Sequence, residues 1–183
     1  MSSGSGVTSD LARRRFGEMV VPHLDDAYRL AKWLTGNRTD AEDVVQDACL
    51  KAIGSLDATF VGNPRAWVMT IVRNTAFTWL AKNRPKNIEL TDDAERLEAA
   101  AARQGDSATP DPEAALIAAA DEAMLEQAIR SLPSAYREVI VMRDLNAMSY
   151  REIAEAIGAP QGTVMSRLAR GRALLIDRIG KRA

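Results

Sequence analysis

The sequence predicts an all-α protein: two small helical domains joined by a flexible acidic linker, the second containing a helix-turn-helix. Three observations carry this. Alanine is abundant, β-branched runs are short, and apolar residues recur mostly at spacings of three and four, the period of an amphipathic helix. An acidic stretch containing Gly, Ser, Thr and Pro breaks that pattern after residue 84. Beyond it, "SYREIAEAIGAPQGTVMSRLARGR" reads as a capped helix, a glycine turn and a second helix carrying three arginines.

"DLARRRFGEMVVPHLDDAYRLAKWLTG" predicts a helix to about Val21, a break at Pro22, where the ring removes a backbone donor, and a second helix ending at Gly36. "TDAEDVVQDACLKAIGSL" predicts a helix capped by Thr39 or Asp40. Its buried stripe would be Val44, Val45, Ala48, Cys49, Ala52 and Ile53, with Glu42, Asp43, Gln46 and Asp47 outside. "NPRAWVMTIVRNTAFTWLAKNR" places Asn63 as cap and Pro64 at the first helical position of a long helix. Trp67, Ile71 and Leu80 would face the core, and Arg73, Asn74, Thr75 and Thr78 the surface. The first domain is expected over 10–84, the linker over 85–111 and the second domain over 112–183.

In the second domain, "PEAALIAAADEAMLEQAIRSL" and "PSAYREVIVMRDLN" predict two helices ahead of the turn motif. Ser149 and Glu152 form a capping box that opens a helix from Tyr150 to Ile157, and Gly158 supplies its left-handed end. On the next helix Val164, Leu168, Gly171 and Leu175 share one stripe. Ser166, Ala169, Arg170 and Ala173 lie opposite, with Arg167 and Arg172 on the flanks. Small outer residues let a backbone approach a DNA groove, and flanking arginines can hold phosphates. A plain helical hairpin with a charged face is the alternative.

The formal net charge of −1 conceals segregation. Residues 63–86 carry five basic and no acidic side chains, and residues 161–183 carry six basic and one acidic. Between them, residues 88–126 carry eleven acidic and two basic, a net −9. Two basic blocks around an acidic spacer suit two contact surfaces for a polyanion, or else solvated helix faces.

Other chemistry is sparse. One cysteine and one histidine exclude an internal disulfide and a Cys/His zinc site. Cys49 lies on an apolar stripe and reads as a small core residue. His23, beside Pro22, reads as a surface or interhelix histidine. Glu42, Asp43 and Asp47 lack the histidine or loop that a metal site needs, and suit a partner-facing helix. No phosphate-binding glycine loop appears. Catalytic residues, metal and cofactor are therefore expected to be absent. With no signal-peptide core and no run of 18 apolar residues, the expectation is a cytoplasmic protein without membrane insertion.

Taken together, "DAEDVVQDACLKAI", "PRAWVMTIVRNTAFTWLAKNR" and "LPSAYREVIVMRDLNAMSYREIAEAIGAPQGTVMSRLARGRALL" resemble bacterial RNA polymerase sigma factors of the extracytoplasmic-function (ECF) type. The resemblance covers about residues 20–84 and 112–178. It implies a transcription initiation factor that binds core RNA polymerase and directs it to −10 and −35 promoter elements. Asp43, Gln46 and Asp47 would meet the clamp coiled coil of the largest polymerase subunit. Asn74 and Thr78, with Arg73 and Thr75 beside them, would contact the −10 element, and the loop Phe60 to Asn63 would help form a pocket for an extruded base. Thr163, Met165, Ser166, Arg167, Arg170 and Arg172 would face the −35 element. Thr78 and Met165 depart from the asparagine and arginine common in the family. The resemblance also implies an anti-sigma partner. The competing readings are an autonomous helix-turn-helix regulator, which has no use for an acidic docking helix followed by a basic one, and an enzyme, which lacks a catalytic constellation.

Overall fold

The computed structural model describes residues 4–56, 61–83 and 123–180. The linker expected over 85–111 and the start of the second domain at 112 lie outside the described residues. Helix α1 (Gly4–Met19) leads into a 3₁₀ turn (Val21–His23) at Pro22 and then α2 (Leu24–Thr35). Gly36 ends α2 in the left-handed region at φ 94°, with its N–H donating to the Lys32 carbonyl at 2.9 Å.

Helix α3 (Arg38–Ser55) starts earlier than expected: its cap is Asn37, not Thr39 or Asp40. Asn37 holds the extended backbone a cap requires (φ −143°, ψ 168°), and its Oδ1 accepts from the Asp40 N–H at 2.9 Å. Thr39 and Asp40 are already in the first turn, where the Asp40 carboxylate opposes the positive end of the helix. Ala41, Val44, Ala48 and Ala52 form the buried stripe, whereas Val45 and Cys49 are half-buried at its edge. Ile53, expected inside, is 45% exposed, because the buried row tracks the i, i+4 positions 44, 48 and 52 and turns away from 53.

Helix α4 (Pro64–Asn83) begins with the predicted Asn63 cap, whose Oδ1 accepts from Ala66 N–H at 3.2 Å. Its core face is Ala66, Met69, Val72 and Ala76, with Val68 and Thr75 also buried. Trp67 and Ile71 pack at the margin, and Leu80 is only half-buried. The stripe is rotated from expectation because α4 meets α2 and α3 on one side and α7 of the second domain on another. The small residues Ala66 and Ala76 are buried in these contacts.

The second domain continues with α5 (123–130), α6 (Ser134–Ile140), a wider π-type turn (Val141–Leu145), α7 (Tyr150–Ile157) and α8 (Gln161–Gly180). Ser149 and Glu152 make both halves of the predicted capping box, and Gly158 ends α7 at φ 64°. Val164, Leu168 and Gly171 turn inward. A Cβ at Gly171 would lie 3.1 Å from Ile140 Cγ1, so glycine is what lets α8 lie this close to α6.

The two domains pack on each other, α7 along α4 and α6 against α2. Arg137 Nη1 donates to the Trp33 carbonyl at 3.2 Å. Arg130 bonds the Gly36 carbonyl and lies over the Trp33 ring, 5.7 Å from its centroid. The buried Asn146 donates to the Asp26 carbonyl at 3.1 Å and accepts from Arg29 Nη1 at 2.9 Å. Its neighbour Ala147 takes φ 53°, a conformation uncommon for a non-glycine residue, held where the chain turns back against the first domain.

Candidate nucleic-acid interface

Asp43, Gln46 and Asp47 are all exposed on one side of α3. Leu50, 63% exposed, and Ile53 extend the same side, so the acidic face carries an apolar margin. The apolar pattern places Ile53 in the core and gives Leu50 no role, although the i, i+3, i+4, i+7 spacing of 43, 46, 47 and 50 signals a shared face. Glu42 is held by Arg38 at 2.8 Å, one turn away. The Cys49 thiol is pushed above its usual range by burial, as suits a packing residue rather than a reactive one.

On α4 the expected contacts divide. Asn74 and Thr78 are exposed, and the Thr78 hydroxyl donates to the Asn74 carbonyl at 2.8 Å. Thr75, expected on the surface, is 3% exposed. Its hydroxyl accepts from Lys51 Nζ at 3.0 Å, which ties α4 to α3, and burial removes it from any outer contact surface. Asn63 spends its carboxamide oxygen on the helix cap, and Phe60 lies outside the described residues.

Arg73 is half-buried and engaged. Its Nε and Nη2 donate to Glu138 of α6 at 2.5 and 3.2 Å, and its guanidinium lies 4.8 Å from the Phe77 centroid. Arg167 of α8 donates to the same carboxylate at 3.3 Å. The Glu138 side chain is only 1% exposed. One buried anion between two cations is compensated, but removing a single partner from such a group typically costs about 3–5 kcal/mol. Arg73, Asn74, Thr78, Glu138 and Arg167 thus line a single cleft of about 540 Å³ between the domains, completed by Phe77, Ser134 and Ala135. Nothing in the spacing of residues 73, 138 and 167 along the chain signals this meeting.

On α8, Arg170, Ser166 and Met165 are exposed, Met165 at 55%, and Thr163 is half-buried. Ser166 donates to the Thr163 carbonyl at 3.0 Å. Arg172 pairs with Asp144, and that hydrogen bond raises its already high pKa. His23 sits between the domains near Arg65, Asp26 and Glu152, and titrates below its usual value through burial and the Arg65 charge. Arg65 clamps Asp26 with Nε at 3.0 Å and Nη2 at 2.6 Å, and also bonds the Asn146 carbonyl. Among the described residues no group of three or more acidic, His or Cys side chains is placed to hold a metal, and no helix is long and apolar enough to cross a membrane.

An acidic helix face, a basic helix and a capped helix-turn-helix, in that order, define the sigma-70 class: residues 19–86 match the family model Sigma-70 region 2, and residues 122–175 match Sigma-70, region 4. The chain is 33% identical over 165 residues to the ECF RNA polymerase sigma factor SigE of Mycolicibacterium smegmatis, covering 90% of this chain and 61% of that protein's length. It is 29% identical over 164 residues to SigW of Bacillus subtilis, covering 87% of this chain and 86% of the relative. To the ECF sigma-E factor of Haemophilus influenzae it is 33% identical over 148 residues, covering 78% and 76% respectively. The sigma factor RpoE of Bartonella quintana, solved in complex with the anti-sigma factor NepR, superposes with a TM-score of 0.66 at 26% identity, covering 90% of this chain and 96% of that one. The chain belongs to the ECF sigma factors.

Proposed function

We propose that this chain is a dissociable transcription initiation factor that docks on core RNA polymerase and brings it to −10 and −35 promoter elements, with no catalysis, metal or cofactor of its own. The observation that carries the reading is the exposed Asp43, Gln46 and Asp47 face of α3, followed in the chain by the basic helix α4 with Asn74 and Thr78 outward. An autonomous repressor needs neither. In this reading the α3 face meets the polymerase clamp, with Leu50 and Ile53 as its apolar margin. Asn74 and Thr78 face the −10 strand, assisted by Arg73 and the 60–63 loop. The exposed side of α8, with Thr163, Met165, Ser166, Arg167, Arg170 and Arg172, faces the −35 duplex. The partner of the Bartonella quintana neighbour supports an anti-sigma factor here also, acting in the cytoplasm.

Run-off transcription tests the proposal. Core polymerase supplied with this chain should initiate at a −10/−35 promoter drawn from the host genome, and core alone should not. With Asn74 and Thr78 both changed to alanine, permanganate reactivity of the melted region should fall while closed-complex binding persists, because extruding a base costs a few kcal/mol that its contacts must offset. Initiation equal to core alone would overturn the reading.

A further inference from the structure

A single exposed methionine is ordinary on a protein surface. Met165 is less ordinary in its place. It is the fifth residue of α8 (Gln161–Gly180), 55% exposed, on the side turned away from the buried Val164, Leu168 and Gly171. At about 100° per residue, Gly162 and Ala169 flank it about one turn before and after on the same strip. Both are exposed, and a Cβ built at Gly162 would meet only open space. The thioether therefore stands clear of a glycine and an alanine, and a flat surface approaching there touches it before the backbone. From Gln161 to Ser166 the helix carries no charged side chain. Its polar groups are Gln161 at the very start, Thr163, which is half-buried, and Ser166, whose hydroxyl donates to the Thr163 carbonyl at 3.0 Å. The reach of this first stretch of α8 is apolar.

We propose that Met165 is a specificity-determining residue that reads a thymine methyl in the −35 element. The inference rests on the −35 reading of α8 given above. A helix-turn-helix sets the N-terminal residues of its second helix against base edges in the major groove. The group that an apolar side chain recognises there is the C5-methyl of thymine; none of the other three natural bases carries one. Methionine suits the contact, because its unbranched, polarizable chain can follow the methyl as the helix settles. Arg170 lies five residues on, about 7.5 Å along the axis at about 1.5 Å per residue, so the two side chains meet different base pairs. One end of the reading face is then apolar and sensitive to a methyl, and the other is cationic and sensitive to acceptors.

The test uses the full chain assembled with core polymerase and a promoter pool randomised over the −35 element. Recovered sequences should share a thymine at one position. In a recovered duplex each thymine is then exchanged singly for deoxyuridine, which keeps the base pairing and removes only the C5-methyl. One exchange should weaken binding by about fourfold, the ratio that goes with one buried methyl group. Met165→Ala should bind the thymine and uracil duplexes equally. Met165→Leu should keep the discrimination, because it keeps an apolar side chain of similar volume. Met165→Arg should move the recovered base toward guanine, whose O6 and N7 a guanidinium pairs. Position 165 is exposed, so these variants leave the core untouched, and circular dichroism checks that they stay helical. A shared −35 sequence with no methyl-sensitive thymine, or a methyl effect that persists in Met165→Ala, would overturn the proposal and leave the −35 reading standing. A pool that yields no shared −35 sequence would overturn that reading, and this assignment with it.

Discussion

Arg172 and Asp144 face each other side by side, Nη2 to Oδ1 at 2.5 Å and Nε to Oδ2 at 3.2 Å, joining α8 to the π-type turn. Both side chains are more than a third exposed, so the pair contributes at most about 1 kcal/mol to stability. On the proposed −35 reading, its larger effect would fall on DNA. A guanidinium already engaged must leave or share Asp144 to hold a phosphate.

Asp144→Asn should therefore tighten binding to every −35 sequence alike. Arg172→Ala should weaken every sequence alike and lower the salt slope by about one unit. Salt titrations of holoenzyme binding check both. A change in preferred base on either substitution would place Arg172 at a base edge rather than at the backbone.

Arg170 should behave differently. It projects from the exposed side of α8, where a guanidinium can meet O6 and N7 of guanine as a bidentate pair. Arg170→Ala should cost about 1–3 kcal/mol on the preferred site and relax discrimination at one position. A panel of single-base −35 variants, bound by holoenzyme, reads this directly; equal weakening across the panel would show that α8 docks in another rotation.

Charge reversal tests the docking face. Asp43→Lys with Asp47→Lys should sharply weaken association with core polymerase while leaving helical content unchanged, because both carboxylates are exposed and the buried row of α3 lies elsewhere. A pull-down with core polymerase, paired with circular dichroism, checks it, and retained affinity counts against the assignment.

The lone histidine gives a pH dependence. His23 is held below 6.5 by burial first and by Arg65 second, with Asp26 and Glu152 pulling the other way. The fold thus favours the neutral ring, and the unfolded chain takes up a proton at higher pH. The stability this contributes is complete above 6.5 and is lost as pH falls through the lowered folded value. Glu152 acts in a separate window. Burial raises its pKa, but hydrogen bonds from Ser149, with Arg65 and His23, outweigh that and hold it below 4.5. Thermal stability should fall on acidification below 6.5, and less so in His23→Gln. Identical pH profiles for the two proteins would show that His23 takes no part.

Where the sequence spelled out local chemistry, it was legible. Ser149, Glu152 and Gly158 satisfy backbone groups within their own turn, so their roles follow from spacing alone. The Asn63 cap and Pro64 start are of the same kind. The rotation of α4 was not legible, because Trp67 and Ile71 advertise burial by size while Ala66 and Ala76 achieve it by letting other helices come close. Thr75 was misplaced for a related reason: a hydroxyl reads as polar until a lysine 24 positions earlier satisfies it in the interior. The meeting of Arg73 and Arg167 on Glu138 depends on how two domains settle against each other: in sequence the two arginines read as separate outward contacts, and Glu138 carries no assigned role.

The close approach of α8 to α6 at Gly171 has a consequence for how binding preference can drift. Position 171 lies beside Arg170 and Arg172, yet on the inward side of the helix. A Cβ there would press on the Ile140 side chain at 3.1 Å, and where that side chain cannot yield, α8 shifts by a few tenths of an ångström and carries Arg167, Arg170 and Arg172 with it. On the proposed −35 reading, a substitution at this inward position would touch no base and yet change how α8 presents its arginines to the duplex.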